Sequence, residues 1–436
     1  MTGAWLFRDL YCIETARDPF TDPSITGGLL LPHDNINGHA RADFNEVRQA
    51  FASNFHDYGE IGASCCVTLG GETVVDLWGG VADQATSRPW EEDTVSVVFS
   101  ATKGATAICA HHLIERGAFT LDTPVIELWP EFGARGKDGA TVRMMLDHSA
   151  GVPVLREKLK EDGIYDWDYM CDRLAAEEPF WRPGERNGYH GLTFGWTVGE
   201  LVRRASGKSL GTYFRENVAD PLGIDFWIGL PEEMEPRVAP MIFRRHQPGD
   251  AQPPFLEVGL NQPGSIPHLF LFNSGGYLSR GCNTREGHAA ELGGAGGITN
   301  ARGLALMYRP FANGGSWDGV DMVGPDTLAA MGEVSTATNL DANLQIPTRF
   351  APGFMKSMDN RGLGFESAII GAGAFGHVGA GGSIGFADPE LGMSFGYTMN
   401  RMGEGLLLNE RGQALVDAVY RCLGGMTVRG GAWRRA

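Results

Sequence analysis

The order of strand-like and helix-like patterns along the chain is the feature that most restricts its fold. β-Rich runs and amphipathic helices come first, a helical and loop-rich stretch fills the middle, and short strands with a closing helix come last. This order predicts one α/β (α+β) domain that is divided by a helical insertion. We therefore predict an irregular extension over residues 1–40, an α/β domain formed by 41–140 and 297–436, and a mainly helical insertion domain over 141–296.

Local patterns predict the individual elements. The runs Ala63–Leu69 and Thr73–Trp78 are joined by a Gly-Gly pair, which predicts a β-hairpin. A third β-rich run, Thr94–Phe99, leads into Ser100 and then into a helix that ends near Arg116. The other predicted elements are a long connection over residues 248–276, strands at Gly382–Ala387 and Met393–Met399, and a closing helix that ends at Gly424.

Composition excludes several functional classes. The chain has 36 Lys and Arg against 53 Asp and Glu, a net charge of −17, so it lacks the overall electrostatic signature of a nucleic-acid-binding protein. No run of about 18 apolar residues occurs, so we predict no membrane partner. Spacings typical of metal sites, phosphate-binding loops or dinucleotide-binding folds are absent from the sequence, so we expect no metal and no cofactor.

The cysteines bear on the cellular compartment. Their number, seven, is odd, and none forms a Cys-x-x-Cys pair. Cys65 and Cys66 are adjacent, which suits neither an ordinary disulfide nor the usual zinc spacing. We therefore expect small buried side chains in a reducing compartment, and we predict a cytoplasmic protein.

The stretch Ser100-Ala101-Thr102-Lys103 carries the strongest chemical signal. Residues three apart on a helix share one face, so the Ser100 hydroxyl and the Lys103 amine are expected to lie close together. A serine hydroxyl becomes an effective nucleophile only when a base takes its proton. A lysine in a partly desolvated site has a lowered pKa and supplies such a base.

Two other serines, Ser209 and Ser383, stand in the Gly-x-Ser-x-Gly pattern of the α/β-hydrolase nucleophile elbow. In those enzymes the catalytic histidine follows the serine. The last histidine here is His377, which excludes Ser383 from that arrangement. Ser209 begins a predicted helix, where capping is a sufficient role. We expect neither serine to be the nucleophile.

The Ser-x-x-Lys stretch and a series of later motifs resemble the serine β-lactamase-related superfamily. Within it, the sequence is most similar to family VIII carboxylesterases, which are similar to class C β-lactamases and DD-peptidases. The resemblance covers roughly residues 40–425 and rests on these motifs: Thr94–Lys103, Met145–Pro153, Trp181–Gly184, Gly188–Trp196, Pro221–Gly223, Gly296–Ile298 and Gly376–Pro389. It implies a β-lactamase/DD-peptidase-like fold, with an antiparallel sheet flanked by helices and a helical domain.

The resemblance also implies roles for particular residues. Ser100 is the expected acylated nucleophile, and Lys103 with Tyr189 is the expected proton-transfer pair. The phenolate or the hydroxyl of Tyr189 is expected to face Ser100. A neighbouring ammonium favours the phenolate, so the pair can share one proton. The backbone N–H groups of Ser100 and Ala380 are the expected oxyanion hole.

Two motifs depart from the family's pattern. The usual Lys-Thr-Gly is replaced by His377-Val378-Gly379, in which we expect His377 and Gly379 to line the substrate site. A histidine near its ordinary pKa is mostly neutral at pH 7, so it is a weaker anchor than lysine for the carboxylate of a β-lactam or peptidoglycan stem. The usual Tyr-x-Asn reads Tyr189-His190-Gly191.

These departures favour esters over β-lactams. We predict a serine carboxylesterase that acts on short-acyl esters of small molecules. β-Lactam or D-amino-acyl amide hydrolysis and acyl transfer are the alternatives, and a binding protein on an inactive hydrolase fold is disfavoured by the intact Ser100, Lys103 and Tyr189. A homo-oligomer is compatible with the sequence. We expect structural hydrogen-bonding roles for His112 and His148.

Overall fold

The computed structural model describes residues 35–243, 252–403, 405–427 and 431–435. Within these ranges the strands are β1 (Asn37–Ala40), β2 (Gly62–Leu69), β3 (Glu72–Asp83), β4 (Arg88–Pro89), β5 (Ser96–Val97), β6 (Phe226–Ile228), β7 (Gly297–Thr299), β8 (Ser316–Trp317), β9 (Val320–Asp321), β10 (Thr336–Thr338), β11 (Thr348–Ala351), β12 (Phe354–Met355), β13 (Phe375–Val378), β14 (Ile384–Asp388), β15 (Met393–Met399), β16 (Gly425–Thr427) and β17 (Trp433–Arg435). The α-helices are α1 (Asn45–Asp57), α2 (Thr102–Glu115), α3 (Val125–Leu128), α4 (Val142–Leu146), α5 (Trp167–Ala176), α6 (Phe194–Ser206), α7 (Leu210–Phe214), α8 (Asp220–Leu222), α9 (Pro254–Asn261), α10 (Ile266–Phe272), α11 (Arg285–Ala289), α12 (Ala301–Ala312), α13 (Pro325–Gly332) and α14 (Glu410–Cys422).

One antiparallel sheet of ten strands forms the centre of the fold. Nine strands follow the order β1-β3-β2-β15-β14-β13-β12-β11-β10, and β4 pairs with β3. The early strand β2 pairs with the late strand β15, from Leu69 opposite Met393 to Ala63 opposite Met399. The sheet thus joins residues 37–89 to residues 336–399, and the predicted α/β fold with an antiparallel sheet is confirmed.

Helices cover both faces of this sheet. Side chains alternate along each strand, so neighbouring residues of β14 show which helix lies on which face. On β14, a Cβ at Gly385 would come within 2.9 Å of the Tyr308 ring and 3.1 Å of the Leu304 side chain, both on α12. The next residue, Phe386, stacks on Tyr420 of α14 with ring centroids 6.4 Å apart. The sheet is therefore the middle layer, with α12 on one face and α14 on the other.

The hairpin, the helix after Ser100 and the closing helix are confirmed as β2–β3, α2 and α14. The predicted strand Thr94–Phe99 is shorter than expected, because only Ser96–Val97 forms a strand, in a separate sheet of order β5-β7-β6. The prediction of a long connection over 248–276 is wrong, because the described part of this segment forms α9 and α10, which pack against each other. Of the predicted extension over 1–40, residues 1–34 lie outside the described residues, and the end forms β1.

Helix α2 positions the Ser-x-x-Lys motif. It is buried from Thr102 to Leu113, and it packs against α6 on one side and α13 on another. A helix that is apolar and buried all round belongs to the core, so its N-terminus is held rigidly. Among the described helices, none is long and apolar enough to cross a membrane. The cytoplasmic location stays a prediction.

Candidate active site

Ser100 lies in a single 3-10 turn, Phe99–Ala101, that runs directly into α2. Phe99 has a φ of +43°, a left-handed conformation that is strained for a bulky side chain. The Thr102 hydroxyl donates to the Phe99 carbonyl at 2.5 Å and accepts from the Gly297 N–H at 2.8 Å. These contacts hold the strained turn and so fix the place of Ser100 at the start of α2.

Lys103 is fully buried one helical turn after Ser100. Its Nζ lies 3.1 Å from Ser100 Oγ, 2.6 Å from the Gly191 carbonyl oxygen and 2.7 Å from the Gly294 carbonyl oxygen. Burial lowers the pKa of the Lys103 ammonium well below its usual value. A neutral amine has two N–H donors and one lone pair. The two carbonyls take both N–H groups, which leaves the lone pair for the Ser100 hydroxyl.

Tyr189 reaches Ser100 from the segment before α6. Its phenol is buried and lies beside Ser100, and Lys103 Nζ lies 4.7 Å from the centroid of its ring. Burial raises the pKa of the Tyr189 phenol. The proton-transfer role of Lys103 and Tyr189 stays a prediction. Burial disfavours the charged form of each group, and both groups lie beside Ser100.

The end of β13 lies against the turn that holds Ser100. A Cβ on Gly379 would come within 2.1 Å of the Val98 carbonyl oxygen, so glycine is required for this close approach. The Ser383 hydroxyl donates to the same carbonyl at 2.9 Å, and the Gly379 N–H donates to the Ser383 carbonyl at 2.7 Å. Within the described residues, the Ala380 N–H has no hydrogen-bond acceptor, so it is available to a substrate oxygen.

His377 is buried on β13, and its ring centroid lies 6.1 Å from that of Tyr189. Its Nδ1 lies 2.7 Å from the Val378 carbonyl oxygen, so Nδ1 carries a hydrogen and donates it. Burial lowers the pKa of His377 to about 3. His377 is therefore neutral at pH 7, and its Nε2 is a buried acceptor with no hydrogen-bond partner among the described residues.

Comparisons with known proteins place this chain in a family. The Beta-lactamase family model matches residues 47–419. The chain belongs to the Beta-lactamase family. Esterase/beta-lactamase LipL of Mycobacterium tuberculosis is 37% identical over 383 residues, which cover 86% of this chain and 85% of that protein.

Solved structures of similar proteins agree. A family VIII carboxylesterase has a TM-score of 0.78 and 38% identity to this chain, and the match covers 89% of this chain and 100% of the other. A penicillin-binding-protein homologue from Caulobacter crescentus has a TM-score of 0.77 and 34% identity with the same coverage. The predicted family, its fold and the assignment to the serine hydrolases of the Beta-lactamase family are confirmed.

In this Beta-lactamase family member, the stretch Tyr189-His190-Gly191 includes a histidine that supports the loop carrying Tyr189. His190 Nδ1 lies 2.7 Å from the Gly188 carbonyl oxygen, and its Nε2 accepts from the Val152 N–H at 3.1 Å. The His190 N–H in turn donates to His148 Nδ1 at 3.1 Å. His148 therefore has the structural role that we predicted, and His190 braces the loop.

Sequence reasoning missed the two carbonyls that hold Lys103. Both belong to glycines at close approaches of the chain. A Cβ on Gly191 would come within 2.2 Å of the Phe270 ring, and one on Gly294 within 2.6 Å of the Leu192 carbonyl oxygen. The glycine-rich run over residues 293–297 was the available signal, because glycine marks places where backbone packs on backbone.

The competing polar residues have structural roles. The Ser209 hydroxyl caps α7 by accepting from the Thr212 N–H at 3.3 Å, and it donates to Glu291 at 2.7 Å. His112 Nδ1 lies 2.7 Å from the Tyr213 hydroxyl in the core. Both predicted structural roles are confirmed.

Proposed function

We propose that this protein is a serine carboxylesterase that hydrolyses short-acyl esters through an acyl-enzyme on Ser100. The observation that carries the proposal is the set of partners of the Lys103 amine, two carbonyl oxygens and Ser100 Oγ. A buried amine held in this way is placed to accept a proton from that hydroxyl. The names of the relatives, an esterase/beta-lactamase and a family VIII carboxylesterase, support esters as the substrate class.

Acylation begins when Ser100 Oγ attacks the ester carbonyl and its proton moves to Lys103. The resulting ammonium keeps its hydrogen bonds to the Gly191 and Gly294 carbonyls, which stabilise the new charge. The Tyr189 phenol lies beside the attacking oxygen, and with Lys103 it returns the proton to the leaving alcohol. The bond between the carbonyl carbon and the alcohol oxygen breaks, and an acyl ester of Ser100 remains.

We assign the oxyanion hole to the N–H groups of Ser100 and Ala380. The close approach of Gly379 to Val98 supports this assignment, because it brings the start of the next turn beside Ser100. Preorganised donors of this kind are typically worth a factor of about 10²–10³ in rate each. Water then attacks the acyl-enzyme, Lys103 takes a proton from it, and the acid leaves as Ser100 is restored.

Two features support a neutral, short-acyl ester. His377 is neutral, so a substrate carboxylate finds no positive partner where relatives with Lys-Thr-Gly have one. Aromatic rings crowd the buried side of the site, since Phe194 lies 5.7 Å from Lys103 Nζ and Tyr189 stacks on Phe350 with centroids 6.0 Å apart. We therefore rank β-lactam or amide hydrolysis and acyl transfer below ester hydrolysis.

The direct test is hydrolysis of p-nitrophenyl butyrate by the wild type and by Ser100→Ala. We expect rapid release of p-nitrophenol by the wild type and a loss of several orders of magnitude in the variant, because no acyl-enzyme forms. Circular dichroism checks that both proteins are folded. Mass spectrometry of quenched wild-type enzyme should find the butyryl group on the peptide that contains Ser100.

Ser209→Ala is the matched control, because this serine stands in the rival motif, caps α7 and bonds Glu291 away from Ser100. We expect its kcat to stay within about twofold of the wild type, with a stability loss of about 1 kcal/mol. A chromogenic cephalosporin and an added acceptor alcohol test the alternatives. Full activity of Ser100→Ala would exclude the acyl-enzyme, and faster turnover of the cephalosporin than of the ester would replace the substrate class.

A further inference from the structure

The backbone of Tyr189 is held on both sides by one loop, Asp341–Asn343, which lies between β10 and β11. The Tyr189 N–H donates to both carboxylate oxygens of Asp341, at 2.9 and 3.1 Å. The Asn343 side-chain amide donates to the Tyr189 carbonyl at 2.8 Å. Two side chains of a single loop thus bind both main-chain polar groups of the residue whose phenol contacts Ser100.

The loop itself is rigid and buried. Asp341 is 0% exposed, and it also accepts from the N–H groups of Asn343 at 2.8 Å and Leu344 at 2.9 Å and from the Thr348 hydroxyl at 3.3 Å. Burying a carboxylate is costly unless hydrogen bonds replace its hydration, and these bonds do so. A carboxylate fixed in this way holds the Tyr189 N–H in one place.

Asn343 has an unsatisfied buried oxygen, and the contact of its amide with Tyr189 explains why this orientation is kept. Its Oδ1 is buried with no hydrogen-bond partner among the described residues, which lowers stability. The same orientation aims the Nδ2 group at the Tyr189 carbonyl. The loop thus tolerates an unsatisfied oxygen while one donor stays on Tyr189.

The ring of Tyr189 is held as tightly as its backbone. It stacks on Phe350 of β11 with an interplanar angle of 11°, and His148 packs beside it with ring centroids 4.9 Å apart. His148 has a φ of +66°, a strained conformation that persists only where surrounding contacts determine it. With backbone and ring fixed, the phenol has one available position, next to Ser100.

We propose that Asp341 and Asn343 are positioning residues that set the Tyr189 phenol against Ser100. This inference rests on the proposed function, because it assigns Tyr189 to the acylation step. A displacement of a catalytic group by about 1 Å costs on the order of 10²-fold in rate. The loop binds Tyr189 rather than substrate, so its loss lowers kcat and leaves KM nearly unchanged.

The first test is the kinetics of Asp341→Ala and Asp341→Asn with p-nitrophenyl butyrate. We expect Asp341→Ala to lower kcat on the order of 10²-fold. Asp341→Asn should recover part of this loss, because its amide oxygen still accepts from the Tyr189 N–H. Asp388→Ala is the matched control. Asp388 is a buried carboxylate at the end of β14 that accepts from the Tyr420 hydroxyl at 2.7 Å. Equal kcat losses in Asp341→Ala and Asp388→Ala would overturn the proposal.

A double-mutant cycle with Tyr189→Phe separates positioning from general stability. If the 341–343 loop acts through the phenol, Asp341→Ala should change kcat by less than about threefold in the Tyr189→Phe background. The same loss in both backgrounds would overturn the proposal. If Asp341→Ala does not fold, Asn343→Leu takes its place, since it keeps the volume and removes only the donor to Tyr189.

The outcomes also separate this proposal from the proposed function. An impaired Tyr189→Phe with fully active loop variants overturns the positioning role alone. A fully active Tyr189→Phe overturns the proton-transfer role of Tyr189 and the positioning role with it. Loss of activity in both, with the coupling described above, supports both.

Discussion

Lys103 and Lys137, two of the buried lysines among the described residues, have different partners. Both are fully buried. Lys137 Nζ donates to three carbonyl oxygens, those of Ala134 at 2.8 Å, Ala175 at 3.0 Å and Glu177 at 2.5 Å. An ammonium has three N–H donors, so three carbonyls use all of them and hold the proton in place. Lys137 joins the chain before α4 to the end of α5.

Lys103 has two carbonyl partners and one hydroxyl, that of Ser100. A hydroxyl donates as well as accepts, so the third position serves a neutral amine as well as an ammonium. Burial lowers the pKa of Lys137 only to about 8, with the nearby Glu177 carboxylate opposing the shift, whereas the pKa of Lys103 falls well below its usual value. Burial is common to both lysines, and their partners decide which one can act as a base.

The largest expected effect is that of Lys103→Met on activity. Removing the base should lower kcat by about 10²–10⁴-fold, as is typical of general-base residues. The ester assay measures it, with Lys137→Met as the matched control that loses the other buried amine. Similar losses of kcat in the two variants would show that burial, and not the partner set, is what matters.

Lys137→Met should mainly affect stability. Three buried carbonyls lose their donor, and one unsatisfied buried group costs about 1–3 kcal/mol, so we expect a loss of at least about 2 kcal/mol in the free energy of unfolding. Urea unfolding followed by fluorescence measures it. The folded fraction should keep its kcat. An unchanged unfolding midpoint would contradict the structural role assigned to Lys137.

The smallest expected effect is on the pH profile of Lys137→Met. A base acts only when deprotonated, so kcat should rise with pH through the Lys103 pKa and be flat above it. Because burial lowers that pKa, the rise should end well below pH 10.5, and Lys137→Met should leave it unmoved. A rise near pH 8 that disappears in Lys137→Met would reverse the roles of the two lysines.

The acid side of this profile needs a check on folding. Burial lowers the pKa of His190 and of His377 from 6.5 to about 3, so the unfolded chain binds more protons than the folded one between these values. Their contribution to stability is complete above pH 6.5 and is lost as the pH falls toward 3. Fluorescence at each pH should show where the loss of rate is a loss of fold.

The sequence predicts the parts of the site that depend on local spacing or on family motifs. Ser100 and Lys103 are three residues apart, and helix geometry alone brings them together. Gly191 and Gly294 escaped prediction because they act through backbone carbonyls, which every residue type has. Asp341 escaped because its contact with Tyr189 spans 152 residues, and no local pattern reports such a distance.

In the fold, too, elements with a local sequence signal are predicted, and elements that depend on distant packing are not. The β2–β3 hairpin has a local turn signal and is predicted from it, whereas the prolines of α9 and α10 favour the prediction of a connection. Pro254 and Pro267 in fact stand in the first turns of these helices, where proline costs no hydrogen bond. The pattern of prolines fits both interpretations, and only the packing of the two helices on each other decides between them.

The pairing of β2 with β15 has a consequence for how the protein is made. At about 5–20 residues per second, a ribosome needs roughly 15–65 s to synthesise the chain between these two strands. During that interval the β2–β3 hairpin exposes an unpaired strand edge, which is a template for aggregation. This edge is covered only once β15 has been made, so we expect yield on overexpression to be limited at this stage rather than by the stability of the finished fold.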